Sequence, residues 1–337
     1  MSNNSLKDNA KKIMCLGLTP LVALIMFGTS SSRHRVVNNN PYTSVRCLDY
    51  RHGFLNIGHR GVSAWEIENS REAIVSSMDL SCSDITECDI IECDGRLFVH
   101  HGNTVINGDG EEIDVSDLTV EELLMIDIKI NRNDETILTA FRTKSWADFV
   151  KYLNFRDKTT TILPFEELLK QAIEKNEPLL LDLFPSDEQD DYLDKLSNEI
   201  KKSGLDNSQI SFQCRDYEFS KKVKLMFPEY EVGLIVMNWN EVNKISNYEY
   251  DFVSLQRTEL NQEALKLIPE GTKLFIWTIN SRSQLFEAYD EVRLSGRNYV
   301  LGIIGDDPSK NCKYIEEYLS IHPEFRMINE VETKKAI

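Results

Sequence analysis

Short runs of aliphatic and β-branched residues alternate with amphipathic segments along most of this chain, and this alternation constrains its fold most strongly. Eight such runs occur, at residues 54–58, 84–91, 178–184, 209–213, 231–236, 251–256, 273–279 and 299–304. Several are almost continuously apolar, which is typical of parallel strands that are covered on both faces. Eight strand–helix units predict an α/β protein with a TIM (β/α)8 barrel, and a doubly wound open sheet is the alternative.

The spacing of these runs is even except between the second and the third, where residues 102–176 form a longer interval. We interpret this interval as an insertion between strands 2 and 3 that covers the barrel mouth and shapes the substrate pocket. The barrel itself is expected over residues 54–320, followed by a C-terminal tail at 321–337.

Helix start and stop signals lie between the predicted strands. Asn69 is expected to cap a helix over residues 70–80, and Thr119 begins a T-x-x-E capping box. A third helix, over residues 187–202, is expected to end at Gly204, because glycine readily adopts the left-handed conformation of a helix C-terminus.

The first 53 residues differ from the rest of the chain. Residues 13–28 form an uncharged apolar run that follows two lysines and precedes small polar residues, as in a secretory signal peptide. The run is shorter than the roughly 20 residues of a typical membrane span, but no clear A-x-A cleavage site follows it. A cleaved signal, an uncleaved anchor and a segment that is neither therefore all stay open, with residues 29–53 as a linker. The first two alternatives predict a secreted or membrane-associated protein.

The net charge of the chain is −17, and the region after residue 53 is more acidic still, because the first 53 residues carry an excess of Lys and Arg. Such an acidic body repels a polyanion, which argues against nucleic acid as the main partner. A small or lipid-derived phosphodiester is compatible, because arginines and a bound cation reverse the local field inside a pocket. The seven cysteines show neither C-x-x-C nor zinc-like spacing, so they predict no disulfide framework.

Candidate catalytic groups follow the first predicted strand and lie within the second. His59, Arg60 and Gly61 come directly after the first strand, at the barrel mouth where TIM barrels gather their catalytic residues. Glu87 and Asp89 are two residues apart on the second strand, so both side chains point to the same side. Inside a barrel they would repel each other, and a divalent cation, Mg²⁺ or Ca²⁺, would remove that repulsion. A solvent-facing acidic edge is the alternative.

Further candidates lie on the third strand and on a predicted hairpin. Asp182 is surrounded by aliphatic residues, so it needs a partner, either as a third metal ligand or in a structural salt bridge. His100 and His101 end the hairpin that turns at Asp94 and Gly95. Because adjacent strand residues face opposite sides, only one of the two histidines is expected to face the pocket.

The order of these motifs resembles the glycerophosphodiester phosphodiesterases, members of the phosphatidylinositol-specific phospholipase C-like barrel superfamily. The matching elements are H-R-G at 59–61, E-N-S at 68–70, E-x-D at 87–89, D-G…H at 94–101, D-L-T-x-E-E-L at 117–123, S-F at 211–212, W-T-x-N at 277–280 and G-I-I-x-D-x-P at 302–308. The resemblance covers about residues 54–310.

The resemblance implies a metal-dependent hydrolysis of glycerophosphodiesters to glycerol phosphate and an alcohol. The substrate's own glycerol hydroxyl would attack phosphorus, giving a cyclic phosphate. The implied roles are an acid–base pair (His59 and His101), a phosphate clamp (Arg60), ligands for one Mg²⁺ or Ca²⁺ (Glu87, Asp89 and Asp182) and candidate supporting residues (Glu68 and Trp277).

The chain departs from the family pattern at several positions. Gly102 stands where Asp is common after the second histidine, Asp182 stands where Glu is usual, and Phe184 replaces the lysine of the family's E-x-K element. These departures leave two alternatives open. One is a related lipid phosphodiesterase of the sphingomyelinase D or lysophospholipase D type, and the other is a catalytically inactive barrel used as a binding module.

Overall fold

The structure is a computed structural model that describes residues 54–129, 158–185, 188–238, 241 and 250–325. The strands of this region are β1 (Phe54–Gly58), β2 (Ile85–Cys93), β3 (Arg96–Val99), β4 (Thr104–Ile106), β5 (Glu112–Asp114), β6 (Leu163–Pro164), β7 (Leu179–Leu183), β8 (Ile210–Cys214), β9 (Glu231–Val236), β10 (Phe252–Gln256), β11 (Lys273–Trp277) and β12 (Val300–Gly305).

Eight of these strands form a closed parallel barrel in the order β1, β2, β7, β8, β9, β10, β11 and β12. The barrel closes because β1 pairs in parallel with both β12 and β2. All eight predicted strands are present, and the TIM barrel prediction is confirmed. The closure excludes the open-sheet alternative, because an open sheet would leave two unpaired edge strands.

Eight helices are described, and all except the second, which packs within the insertion, pack their apolar faces on the outer side of the barrel. They are α1 (Arg71–Asp79), α2 (Val120–Met125), α3 (Phe165–Lys175), α4 (Gln189–Ser203), α5 (Tyr217–Met226), α6 (Gln262–Leu267), α7 (Arg282–Ser295) and α8 (Pro308–Ile321). Two large groups of buried residues, one on each half of the barrel, lie between the helices and the strands.

Two of the three predicted helix boundary signals are confirmed, and one is wrong. Thr119 and its partner three residues later form the predicted capping box of α2, and Gly204 ends α4 in the left-handed conformation. Asn69 does not cap α1. The hydroxyl of Ser70 accepts the capping hydrogen bond from the backbone N–H of Ala73 instead.

The barrel interior is filled by alternate residues of the strands. Leu55, Phe252 and Phe275 belong to this inner cluster, and the two phenylalanine rings stack with centroids 4.8 Å apart. Gly302 makes room for them, because a Cβ atom there would lie 2.4 Å from Cδ1 of Phe275. The interior is therefore a packed core rather than a channel.

The long strand β2 continues beyond the barrel into a hairpin with β3, as predicted. Asp94 and Gly95 both have positive φ, which is the conformation that a tight two-residue hairpin turn requires. β3 pairs in turn with β6, so the hairpin is held on both sides.

The described residues of the interval predicted as an insertion form two kinds of structure. Its first part includes the β4–β5 sheet and α2, and it packs around the hairpin through residues such as Phe98, Val105 and Leu123. Its last part is α3, whose Phe165 and Leu168 pack in the outer barrel core. The range 102–176 therefore ends with a helix that packs on the barrel like the others.

The described body begins at β1 and continues past residue 320. Phe325 is buried against the ring of Phe54, so the chain stays packed on the barrel beyond α8. None of the described helices is long and apolar enough to cross a membrane. Residues 13–28 lie outside the described ranges, so the signal peptide and the anchor remain predictions.

Candidate active site

The candidate residues continue the rows of side chains that fill the barrel interior. Ile85 on β2 belongs to the inner cluster, and the next inward residues of that strand are Glu87 and Asp89. Leu180 on β7 is followed in the same way by Asp182. The packed core thus changes to a polar layer at the C-terminal ends of the strands, where TIM barrels place their active sites.

Three carboxylates form the floor of this mouth. One oxygen from each of Glu87, Asp89 and Asp182 lies within 4.8 Å of the other two. Asp89 and Asp182 are direct partners in the parallel pairing of β2 with β7, which brings their side chains together. All three are at most 4% exposed, so the solvent-facing alternative for the acid pair is wrong.

The electrostatics of this group fit a divalent cation. Burial raises the pKa of Glu87, and the neighbouring carboxylates of Asp89 and Asp182 raise it further. Burial and Asp89 likewise raise the pKa of Asp182, whose Oδ1 has no hydrogen-bond partner among the described residues. An all-oxygen set of clustered carboxylates is the donor set that Mg²⁺ and Ca²⁺ prefer.

Arg60 lies beside the carboxylates and is held by several of them. Its backbone N–H donates to Glu87 Oε2 at 2.8 Å, and its Nη1 donates to Glu68 Oε1 at 2.6 Å. Its Nε lies 3.1 Å from Asp89 Oδ2. Burial alone would lower the pKa of Arg60, but these carboxylates raise it, so the guanidinium stays charged. Gly61 follows with φ of 80°, and a Cβ atom there would lie 2.4 Å from the backbone of α1.

Asn69 has a role that the sequence reasoning missed. Its Nδ2 donates to Asp89 Oδ2 at 2.7 Å, and its Oδ1 accepts from the backbone N–H of Asp89 at 3.3 Å. The residue has a φ of 59°, which asparagine tolerates better than most residues. Asn69 therefore orients a carboxylate of the acidic group, while its neighbour Ser70 caps the helix.

His59 is fixed by a carboxylate from the opposite end of the sequence. Its Nδ1 lies 2.7 Å from Asp306 Oδ1, and the other oxygen of Asp306 accepts from Asn280 Nδ2 at 3.0 Å. Because a carboxylate oxygen accepts hydrogen bonds, this contact assigns a hydrogen to Nδ1. Nε2 is then the ring nitrogen that can exchange a proton with a substrate. Asp306 and Asn280 were not among the candidate site residues. Both lie in the two late motifs of the resemblance, G-I-I-G-D-D-P and W-T-I-N, and these motifs are the sequence signal that could have identified them.

The two consecutive histidines of the hairpin have different surroundings. Nε2 of His100 contacts the carbonyl oxygen of Thr104 at 2.8 Å, which ties that ring to β4. His101 packs edge-on against the ring of Phe184, with the ring centroids 5.5 Å apart. Burial and then the charge of Arg60 lower the pKa of His101 to about 4, so its ring is uncharged at neutral pH. Of the pair, His101 has the surroundings expected of the pocket-facing histidine.

Arg215 is a second cation at the mouth, and no sequence motif pointed to it. It directly follows β8, and its Nη2 lies 3.4 Å from His101 Nε2 and 3.9 Å from Asp182 Oδ2. Trp277, a candidate supporting residue, packs on the inner cluster at the end of β11, and its indole N–H donates to the carbonyl of Ser254 at 3.2 Å. Through these contacts Trp277 packs against the barrel wall.

The sequence of the chain matches an established family. Residues 59–310 match the sequence model of the glycerophosphoryl diester phosphodiesterase family. A glycerophosphodiester phosphodiesterase from Caldanaerobacter subterraneus subsp. tengcongensis is 26% identical over 275 residues, an alignment that covers 75% of this chain and 94% of that protein.

Solved structures share the fold of the chain. A phosphodiesterase from Oleispira antarctica, solved in complex with the product sn-glycerol-3-phosphate, has a TM-score of 0.58 at 16% identity, covering 77% of this chain and 96% of that one. A glycerophosphodiester phosphodiesterase from Parabacteroides distasonis has a TM-score of 0.54 at 17% identity, covering 79% and 98%. At these identities the likeness shows the common fold.

Proposed function

The chain belongs to the glycerophosphoryl diester phosphodiesterase family, and from this premise we propose that it hydrolyses glycerophosphodiesters with one divalent cation and two histidines. Family membership makes it a phosphoric diester hydrolase. The observation that carries the finer proposal is the grouping of a carboxylate triad, a buried arginine and histidines at one barrel mouth. These groups suit phosphodiester hydrolysis, because they provide charge for the phosphate, ligands for a metal and imidazoles for proton transfer.

Glu87, Asp89 and Asp182 would hold the cation, which we take to be Mg²⁺ or Ca²⁺. Their mutual repulsion and burial raise the pKa values of Glu87 and Asp182, and a bound cation offsets both effects. When bound, such an ion supplies positive charge next to the phosphoryl oxygens, where negative charge develops.

The two histidines would exchange protons with the two reacting oxygens. His101 is uncharged at neutral pH, which suits it to accept the proton of the substrate's glycerol hydroxyl as that oxygen attacks phosphorus. As the bond from phosphorus to the leaving alcohol breaks, His59 donates a proton to the alcohol oxygen, with Asp306 holding its ring. Water then opens the cyclic phosphate with the proton transfers reversed, giving glycerol phosphate.

Arg60 would bind the phosphoryl group while the carboxylates around it hold its side chain in place. Its contacts with Glu68 and Asp89 keep the guanidinium at the edge of the acidic group. The Oleispira antarctica structure holds sn-glycerol-3-phosphate, and we propose the same class of product for this chain. Residues 13–28 would direct the enzyme to secretion or to a membrane, which fractionation of cells expressing the full chain would test.

The proposal is tested by assaying the purified full chain against three diesters: glycerophosphocholine, glycerophosphoethanolamine and lysophosphatidylcholine. Each is assayed with Mg²⁺, with Ca²⁺ and with EDTA. We expect release of glycerol phosphate from the first two substrates in the presence of a cation, and loss of at least about a thousandfold in kcat for His59→Ala and Glu87→Ala. Glu174→Ala, which removes an exposed carboxylate on α3, is the matched control.

Four outcomes would contradict the proposal in different ways. Full activity in EDTA would remove the cation from the mechanism, and full activity of His59→Ala would remove the acid–base pair. Activity on lysophosphatidylcholine alone would favour the lipid phosphodiesterase. An inactive wild type that still binds glycerol phosphate would support the binding module.

A further inference from the structure

Arg215 lies in the polar layer of the barrel although it belongs to none of the motifs that define the site. It follows β8, the strand next to β7, and in their pairing Gln213 is the direct partner of Asp182. Because strand residues alternate in direction, Arg215 lies on the same inward row as Gln213, one step nearer the mouth. The register thus places a guanidinium above the acidic floor.

An aromatic ring determines where this guanidinium lies. The Cζ atom of Arg215 is 4.9 Å from the ring centroid of Phe184, a cation–π distance. The same ring packs edge-on against His101. Phe184 therefore holds the arginine and the histidine next to each other, and the Nη2 of Arg215 lies 3.4 Å from Nε2 of His101.

Most of the hydrogen-bonding capacity of Arg215 remains available. Its contact with Asp182 is 3.9 Å long, beyond hydrogen-bonding distance, and its side chain is 38% exposed. Among the described residues only its Nη2 makes polar contacts, whereas a guanidinium carries five N–H donors. Arg60, in contrast, already contacts Glu68 and Asp89 through Nη1 and Nε.

An anionic ligand would meet an excess of negative charge at the barrel mouth unless a second cationic side chain, besides Arg60, lay there. Glu68, Glu87, Asp89 and Asp182 carry more negative charge than Arg60 and one divalent cation can neutralise. A phosphodiester approaching such a site would be repelled. The guanidinium of Arg215 removes this excess, and its planar donors match the spacing of two phosphoryl oxygens.

We propose that Arg215 is a substrate-binding residue that contacts the phosphoryl oxygens of the diester, with Phe184 as the platform that aims it. The inference deepens the proposed function and rests on it, because the ligand it assigns is the phosphoryl group of that reaction. It adds Arg215, the residue that directly follows β8 and that belongs neither to the motifs nor to the acidic group.

The test measures both turnover and product binding in Arg215→Gln and Arg215→Lys. Arg282→Gln is the matched control. Arg282 also lies over a phenylalanine ring, that of Phe286, and also pairs with a carboxylate, Glu317, but this pair is exposed on the protein surface. Binding of sn-glycerol-3-phosphate is measured by titration calorimetry with saturating Ca²⁺. Hydrolysis of glycerophosphocholine and the melting temperature are measured on the same preparations.

For Arg215→Gln we expect kcat/KM to fall about 10- to 100-fold and the Kd for glycerol phosphate to rise by about tenfold or more, since a charged hydrogen bond is lost. Arg215→Lys should recover part of both losses, because it keeps the charge without the planar donors. The affinity of Arg215→Gln for Ca²⁺ should equal or exceed that of the wild type, because this variant loses a positive charge near Asp182. The control should match the wild type.

Each further outcome decides between the two proposals. If the wild type hydrolyses the diester and Arg215→Gln has unchanged kcat/KM and Kd, the role of Arg215 is refuted while the proposed function stands. If the wild type binds glycerol phosphate without hydrolysing any diester, the proposed function fails, and the Kd of the variant still decides on Arg215. A parallel loss of Ca²⁺ affinity and melting temperature in both variants would assign Arg215 a structural role and overturn the inference. A wild type that neither binds nor hydrolyses would overturn both.

Discussion

Replacing Asp182 with asparagine should stabilise the metal-free protein and abolish most of its stabilisation by a divalent cation. The substitution keeps the shape of the side chain and removes one charge from the acidic group. At the 4.8 Å limit that encloses the three carboxylates, two ionised groups repel by about 3.5 kcal/mol for an effective dielectric constant of about 20. The folded protein avoids part of this repulsion by binding protons.

The pH dependence follows from the raised pKa values of Glu87 and Asp182. Both groups bind protons more tightly in the folded state than in the unfolded state. The contribution of these two groups to the stability of the metal-free protein is therefore greatest below their ordinary pKa values of about 4, and it is lost as the pH rises through the raised values. Asp182→Asn removes one of these groups, so its advantage in melting temperature over the wild type in EDTA should grow with increasing pH.

A bound cation should raise the stability of the wild type much more than that of Asp182→Asn, and so reduce the difference between the two proteins. At a hundred times its Kd, a ligand of the folded state adds about 2.7 kcal/mol to the free energy of unfolding, which corresponds to about 5–10 °C in a domain of this size. Differential scanning fluorimetry with Mg²⁺ or Ca²⁺ titrated into EDTA-dialysed protein measures this shift. Asp190→Asn on α4, whose side chain is 88% exposed, is the matched control and should behave as the wild type.

Two results would refute this reasoning. If Asp182→Asn retains the full cation-induced shift with the same midpoint, Asp182 is not a ligand. If the variant melts below the wild type in EDTA at every pH, the carboxylate of Asp182 is stabilising without a cation, and its contact with Arg215 would be the salt bridge that the sequence left as an alternative.

Three other experiments, with four substitutions, test separate parts of the structure. Asp306→Asn should lower kcat by about a thousandfold or more at a nearly unchanged melting temperature, because the histidine it orients would lose its tautomer; a loss below tenfold would contradict this. His101→Gln should abolish diester hydrolysis, whereas His100→Gln should mainly lower the melting temperature through loss of its hydrogen bond to β4; equal kinetic losses would show that the two were misassigned. Gly302→Ala should lower the free energy of unfolding by about 1–3 kcal/mol in urea titrations, because the added methyl group overlaps a buried ring; an unchanged midpoint would show that the inner core is loosely packed.

The barrel and the carboxylate pair were predictable because their signals are local. A strand covered on both faces is a continuous apolar run, and all eight runs became barrel strands. Glu87 and Asp89 share a face because strand residues alternate, which holds before any tertiary contact forms. The turn at Asp94 and Gly95 was readable for the same reason, since its backbone conformation depends on the two residues themselves.

The missed contacts depend on how distant segments meet. Asp306 reaches His59 only because β12 closes the barrel against β1, and Arg215 reaches His101 only because β8 ends beside the hairpin. Asn69 was misassigned for another reason. It and Ser70 are both good capping residues, and which of them caps the helix depends on the hydrogen bonds of Asn69 to β2.

The pairing of Asp89 with Asp182 has a consequence for how this protein folds. The two residues are neighbours across β2 and β7 but distant in sequence, with the whole hairpin region between them. An unfolded chain therefore does not hold the three carboxylates together, and the pairing is a non-local contact whose formation costs loop-closure entropy. A divalent cation would therefore slow the unfolding of the folded barrel without accelerating its folding. Binding of the cation would indicate that β2 and β7 have paired.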